Sequence, residues 1–373
     1  MTPQQRAIWV RSMGARQDWW ALRSEPVVEP EWEIIDAHCH FWVEKDIPDP
    51  VDPRATLRTS RYMPDEFLRD VSGGHKLTTI VYIECGSGYY TEGPVHLRPI
   101  GEIEFAIEIS RQLNGENNTP KLGAISAFAD LTNPELGATL NGYVEKSGSM
   151  VKSIRHSGAR LENPSARFLA GAAPPDLYLD PAFRRGVASL GERGLHFEAF
   201  QFHFQLPQLA DLIKSTPGTT FILNHLGAPI GYGRGPAADA RVLAEWAMGI
   251  DAVAKFPNVV MKLGGMASPV TEYDATFRDI PPSAADFIAE RGAFFHHAIG
   301  AFGPERCLFE SNFPVDSVSI SYTSLWNAYK LIAGEYPKTA RRALLSETAR
   351  RIYGIELPSK PRLSEPALSS DKE

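Results

Sequence analysis

The sequence predicts an α/β fold, a single (β/α)8 TIM barrel, and three observations carry that prediction. Eight short runs rich in Val, Ile, Leu and Phe alternate with segments long enough to hold helices, the pattern of a parallel sheet with helical crossovers. Helix-stop and turn pairs stand before several of these runs, as at Pro217-Gly218, Pro257-Asn258 and Gly303-Pro304, and mark the bottom of the barrel. Eight strand-helix units in roughly 320 residues is also the arithmetic of this barrel with insertions. A doubly wound open sheet is the other arrangement the alternation allows.

In chain order the runs are EIIDAH at 33–38, LTTIVYIE at 77–84, KLGAISAF at 121–128 and MVKSIRH at 150–156, followed by LHFEAFQ at 195–201, TTFILNH at 219–225, NVVMKLG at 258–264 and RCLFES at 306–311. None alternates strictly, which suits strands buried on both faces. After the fifth run, Pro207 starts a segment with Leu209, Leu212 and Ile213 at helical spacing. Leu345, Ala349 and Ile352 share one face of a segment closed by Gly354, the expected last barrel helix. Residues 31–357 form the predicted barrel domain. Residues 1–30, with Trp9, Trp19 and Trp20 among polar residues, are an N-terminal extension packed on the barrel or on a second subunit of a homo-oligomer. Residues 358–373 have the composition of a flexible tail.

With 43% hydrophobic and 22% charged residues the chain reads as globular throughout. Its 38 basic and 45 acidic residues give a formal charge of −7 with no long basic run, which argues against nucleic acid as the main partner and leaves a small-molecule substrate. No apolar stretch is long enough for a membrane helix, and the polar N-terminus does not fit a signal peptide, so a cytoplasmic location is expected. Cys39, Cys85 and Cys307 match neither a disulfide framework nor a Cys-x-x-Cys zinc site and are expected as reduced thiols.

In such a barrel the chemistry belongs at the C-terminal ends of the strands. The first strand ends in Asp36-Ala-His38-Cys-His40, and a His-x-His pair on an extended chain puts both imidazoles on one face, about 6.6 Å apart along the strand. If the strand curves, both reach one metal ion. The fifth and sixth segments supply His203 and His225 at equivalent tips. Four of the chain's ten histidines thus fall at the ends of three strands.

Taken together, these motifs resemble the amidohydrolase superfamily, in its branch of amidohydrolase-related TIM barrels that includes sugar-lactone and pyrone-dicarboxylate lactonases. The likeness spans residues 33–353. It rests on Asp36-Ala-His38-Cys-His40-Phe-Trp, Ser153-Ile-Arg155-His156, Phe202-His203-Phe-Gln205-Leu-Pro207, Asn224-His225-Leu-Gly227-Ala-Pro229, Lys262-Leu-Gly264-Gly265 and Glu310-Ser-Asn312-Phe-Pro314-Val-Asp316. The resemblance implies a hydrolase of an ester, lactone or amide, with His38 and His40 at the metal or substrate-carbonyl site. Some relatives are decarboxylases or hydratases, and some lactonases of this branch act without metal, so the fold alone does not fix the chemistry.

The chain departs from the superfamily pattern where the eighth strand usually ends in an Asp that ligates metal and takes a proton from water. That position is Asn312, and an amide cannot act as the base. Glu310, two residues earlier and so on the same side of the strand, returns a carboxylate to the interior about one layer lower; Asp316 is the other candidate. Asn224 stands where many relatives have Asp.

The reading that follows is a hydrolase opening a lactone or other carboxylic ester, with amide hydrolysis a close variant. His38, His40 and His203 would hold a divalent metal, zinc by preference because imidazole suits it. His225 would orient water or substrate, and Glu310 or Asp316 would supply the base. Without metal the histidines would hydrogen-bond the carbonyl directly. Arg155, His156, Gln201 and Lys262 are the expected substrate contacts, Arg155 as a carboxylate clamp and Lys262 as a carbonyl polariser or a core ion-pair partner. Metal-dependent decarboxylation and a non-catalytic ligand-binding barrel are the alternatives. Glycines 231, 233 and 235 suggest a mobile lid, whereas Cys39, His296 and His297 read as packing.

Overall fold

A computed structural model describes residues 16–44, 46–48, 56–58, 60–114, 119–162, 172–273 and 275–356. All eight runs are strands of one sheet: β1 (Glu33–Cys39), β2 (Lys76–Ile83), β3 (Lys121–Ala127), β4 (Val151–Arg155), β5 (His196–Ala199), β6 (Phe221–Leu223), β7 (Val259–Leu263) and β8 (Cys307–Phe309). Each pairs in parallel with the next in chain order. That order excludes the doubly wound sheet, in which the sequence of strands reverses. The seam between β8 and β1 closes just past the strand ends: His40 N donates to Phe313 O at 2.8 Å and Asn312 N to His38 O at 3.0 Å.

The crossovers carry α1 (Pro64–Val71), α2 (Ile100–Asn114), α3 (Leu136–Ser147), α4 (Pro181–Glu192), α5 (Leu206–Ser215), α6 (Pro236–Ala254), α7 (Ala284–Phe302) and, after β8, α8 (Tyr322–Gly334). Their starts follow local chemistry. Proline opens α1, α4 and α6, where its missing N–H costs nothing. Side-chain oxygens of Asp180, Ser283 and Ser321 cap α4, α7 and α8. His296 and His297 lie on α7, beside Glu335 at 3.9 Å and Asp251 at 2.8 Å, in the packing role expected of them. Among the described residues no helix is long and apolar enough to cross a membrane.

Two apolar layers hold the barrel. The outer one fills the space between strands and helices. The inner one comprises Ile35, Ala37, Val81, Ile83, Ala124, Ile222, Val260 and Leu308, closed at the barrel's foot by Ala349, Ile352 and Tyr353 of the last helix, Thr348–Tyr353. Side chains therefore plug the lower half of the barrel interior. The described part of the N-terminal extension lies on the barrel of its own chain: Trp19 and Trp20 donate their indole N–H to Arg278 O and Ser317 O, and Arg16 reaches Thr276 O and Val318 O. Trp9 and residues 358–373 lie outside the described residues.

Arg306, one residue before β8, fastens the foot of the barrel. Its Nε donates to Phe302 O at 2.9 Å, Nη1 to Phe256 O at 2.8 Å and Nη2 to Ala254 O at 2.9 Å, gathering the C-terminal carbonyls of α6 and α7. Arg306→Met keeps the apolar stem and removes these donors; it should lower unfolding stability by about 2–4 kcal/mol in urea titration while leaving the geometry of the opposite end intact.

Candidate active site

Above the apolar plug the inward positions turn polar. Glu198 of β5 is fully buried and takes four donors: Lys262 Nζ of β7 at 2.8 Å, Asn224 Nδ2 at 2.9 Å, Ser153 Oγ of β4 at 2.8 Å and Tyr353 OH at 2.8 Å. Burial alone would raise its pKa, but Lys262 and these donors hold it down to about 2. Lys262 is equally buried and its Nζ lies 3.3 Å from His38 Nδ1, so the pair forms the floor of the histidine layer.

Backbone irregularities aim the histidines. On β1 the inward positions Ile35 and Ala37 would, by simple alternation, send His38 and His40 outward. The pairing of β1 with β2 shifts between Asp36 and Cys39, and this bulge turns both histidines inward and Cys39 into the outer core. Asp36 anchors the bulge by accepting from His38 N at 3.3 Å, Ser311 N at 2.8 Å and Tyr322 OH at 3.0 Å. His225, one residue past inward-facing Asn224, would likewise point away. Its φ of +54° bends the chain back, so that Nδ1 lies 2.6 Å and its backbone N 3.2 Å from Glu310 Oε1. Gly265 makes room for this ring, since a Cβ there would stand 2.4 Å from His225 Nδ1; one at Gly264 would stand 2.3 Å from Glu310 Cγ.

Glu310 thus serves two histidines, with Oε2 2.9 Å from His38 Nδ1. It is fully buried, and Oε2 makes no hydrogen bond of good geometry. His40 Nδ1 lies 2.9 Å from Ile83 O, which only accepts, so His40 carries its proton there and presents a bare Nε2 to His38 Nε2 at 3.1 Å. A proton on His38 Nε2 would satisfy that contact but leave a bare Nδ1 facing Glu310 Oε2. A proton on Nδ1 leaves two lone pairs facing across 3.1 Å. Protonating both is opposed by burial and by the Lys262 cation, which push His38 well below the usual imidazole range; burial and Arg155 do the same to His40. Lys262 Nζ at 3.3 Å from His38 Nδ1 and Arg155 Nη1 at 3.4 Å from His38 Nε2 are the donors nearest this ring, and a divalent cation would accept lone pairs from imidazole and carboxylate alike. Among the described residues, the group of His, Cys, Asp and Glu side chains that could each bring one ligand atom within 4.8 Å of the others is His38, His225 and Glu310.

The other expected site residues fall less simply. His203 stands four residues past β5 in a one-turn helix, where Nδ1 accepts from Ile230 N at 3.3 Å and Nε2 lies 4.0 Å from Glu245; it is not in the group that could share an ion. Asn312, at φ +56°, donates Nδ2 to Asp316 Oδ1 at 2.7 Å. Asp316 also accepts from Ala267 N, is fully buried, and is pushed well above the usual carboxylate range by that burial. Arg155 is committed to Glu84, with Nε on Oε1 at 2.6 Å and Nη2 on the backbone oxygen at 2.7 Å, while Nη1 lies 3.4 Å from His38 Nε2. His156 points the other way, accepting from Leu131 N and lining a separate cavity of about 330 Å³ with His96, Phe128 and Asp130. Gln201 is fully buried with Oε1 3.5 Å from Tyr178 OH. The glycine loop is latched, since Gly231 N and Arg234 both bond Glu272. Cys39 is a buried free thiol, as expected.

Sequence reasoning passed over Glu198, Glu84 and Tyr353. An acid inside the apolar run LHFEAFQ and another closing LTTIVYIE were the available signals for the two glutamates. Nothing local marks Tyr353, whose partner is 155 residues away.

Comparison with known proteins finds a matching family model, named relatives and solved structures of the same fold. A family model described as amidohydrolase matches residues 154–355. The chain is 26% identical to the L-fucono-1,5-lactonase of Burkholderia multivorans over 88% of its own length and 98% of that protein. It is 24% identical to the L-rhamnono-gamma-lactonase of Scheffersomyces stipitis, over 77% and 87%. The crystal structure of a Burkholderia multivorans amidohydrolase with bound zinc superposes with a TM-score of 0.65 at 23% identity, covering 87% of this chain and 99% of that one.

The floor pair is directly testable. Glu198→Gln strands the Lys262 cation and should cost about 3–5 kcal/mol of stability in denaturant titration, whereas adding Lys262→Met should recover much of the loss. Because its folded pKa of about 2 lies below the ordinary 4.5, the Glu198 contribution is present above pH 4.5 and is lost as pH falls toward 2. Acid unfolding of Glu198→Gln should lack that component.

Proposed function

Because the chain belongs to the amidohydrolase family, we propose that this hydrolase opens the lactone ring of an uncharged polyhydroxy acid. The observation that carries the reading is the buried carboxylate Glu310 joined to two histidines at the barrel mouth, with His40 against the second ring nitrogen of one of them. The names of the two lactonase relatives support a sugar-acid lactone. So does the charge balance: Arg155 and Lys262, the cations expected to grip a substrate, are already neutralised by Glu84 and Glu198.

His225 handles the proton. Its side chain retains 9% exposure while Glu310 has none, so the imidazole meets water and the carboxylate behind it stabilises the cation formed. The attacking water gives its proton to His225, its oxygen bonds to the lactone carbon, and the carbonyl π pair moves onto the carbonyl oxygen. When that pair returns, the ring C–O bond breaks and His225 returns the proton to the departing alkoxide. His38 and Glu310, with His40 adjoining, would hold a divalent ion, which when bound polarises the carbonyl and acidifies water, while His225 keeps a ring nitrogen for the proton. The apolar wall of Phe200, 5.4 Å from the His225 ring, limits solvent beside it.

The test is a panel of sugar-acid lactones against a dicarboxylate pyrone lactone, followed by proton release with carbon dioxide monitored. Turnover is expected on the uncharged lactones without carbon dioxide; preference for the dicarboxylate, or carbon dioxide release, overturns the assignment. His225→Ala and Glu310→Gln should each lower kcat on the order of a hundredfold or more, and the double variant little further, because the two act as one unit. Prolonged chelation should abolish activity and added zinc or manganese should restore it. Full turnover at far less than one metal per chain would instead leave the histidines acting directly on the carbonyl.

A further inference from the structure

We propose that Arg155 is a catalytic residue, its Nη1 donating to the oxygen that gains negative charge when water adds to the substrate carbonyl, and that Glu84 is the positioning residue that holds it there. This rests on the lactone-opening reading. The contrast with Arg306 is instructive. That structural guanidinium spends all three nitrogens on carbonyl oxygens. Arg155 spends two, Nε on Glu84 Oε1 and Nη2 on Glu84 O, and the contact of its third is a ring nitrogen, His38 Nε2 at 3.4 Å. His38 Nε2 in turn faces His40 Nε2 at 3.1 Å, so Nη1 reaches the spot where the histidine pair comes together.

The guanidinium cannot swing away to meet a distant carboxylate. Its side chain is 11% exposed, and the loop bearing Glu84 is itself pinned: Glu102 Oε1 accepts from Cys85 N at 2.8 Å, Ser87 N at 2.9 Å and Tyr82 OH at 2.9 Å. A fixed donor of this kind suits charge that develops during reaction, because it needs no reorganisation when the carbonyl pair shifts onto oxygen. Glu84 removes the net charge of Arg155 without occupying Nη1, so directed N–H groups remain while a general attraction for anions is cancelled. The sequence motif Ser153-Ile-Arg155-His156 suggested a carboxylate clamp; the two bonds to Glu84 argue for a different use of the same residue.

The experiment uses the full chain and whichever sugar-acid lactone the wild-type protein turns over. Wild-type inactivity on every lactone would overturn the lactone reading itself. With an active wild type, Arg155→Ala should lose about 100- to 1,000-fold in kcat with KM within about threefold, unchanged metal content, and partial recovery on adding millimolar guanidinium. Arg155→Lys, which keeps a cation for Glu84 but not the planar fork, should melt near the wild type and still lose at least about tenfold in kcat. Glu84→Gln should show a smaller kcat loss in the same direction. Retained kcat in Arg155→Lys, a loss confined to KM, or absence of guanidinium rescue in a folded Arg155→Ala would each overturn the assignment.

Discussion

A fully buried glutamate and lysine share the middle of this barrel, and most of the upper structure is arranged around that fact. Charges so buried are tolerated only when paired and fully hydrogen-bonded. Glu198 meets the condition by collecting donors from β4, β7, the end of β6 and the last helix. The same bonds fix the height at which apolar plug gives way to polar chemistry. Lys262, held below, lies against His38 and helps keep that imidazole neutral. The floor pair is therefore structural and electrostatic at once, and the histidine layer inherits its position from it.

The eight strands were legible because their composition is that of a doubly covered parallel sheet, and each of the eight apolar runs became a strand in the predicted order. Glu310 was legible too, since period-two alternation from Leu308 returns it to the interior. What alternation could not supply is its own interruption. The bulge that re-aims His38 and His40 is a matter of pairing register with β2, and the left-handed backbone at His225 depends on Gly265 leaving space from another strand. His203 illustrates the converse: a histidine at the right place in the chain, carried past the strand end into a turn where Ile230 holds its ring. Arg155 and Lys262 could be placed on the barrel interior, but not their neutralisation, because Glu84, just past β2, and Glu198, on β5, are distant from them in sequence.

Departure from the superfamily pattern at Asn312 is absorbed locally. The amide hands Asp316 a hydrogen bond, and the buried Asp316 is pushed toward its neutral form, so the pair has a reduced need for a counter-ion. Negative charge at the site is concentrated instead on Glu310, beneath the rings rather than beside them. A carboxylate there orients imidazoles from behind without competing with them for substrate.

The donor from Tyr353 to Glu198 also bears on how the chain is made. The two partners are 155 residues apart, and Tyr353 belongs to the helix that stops the foot of the barrel. In synthesis from the N-terminus all eight strands precede this tyrosine, so until it arrives the glutamate lacks one of its four donors and the foot of the barrel lacks its stopper. The last turn of helix then supplies the missing hydroxyl and the apolar stopper together. Vectorial synthesis thus delivers the closing piece last, and a nascent barrel released short of it would expose its most polar interior contact to the solvent that the finished fold excludes.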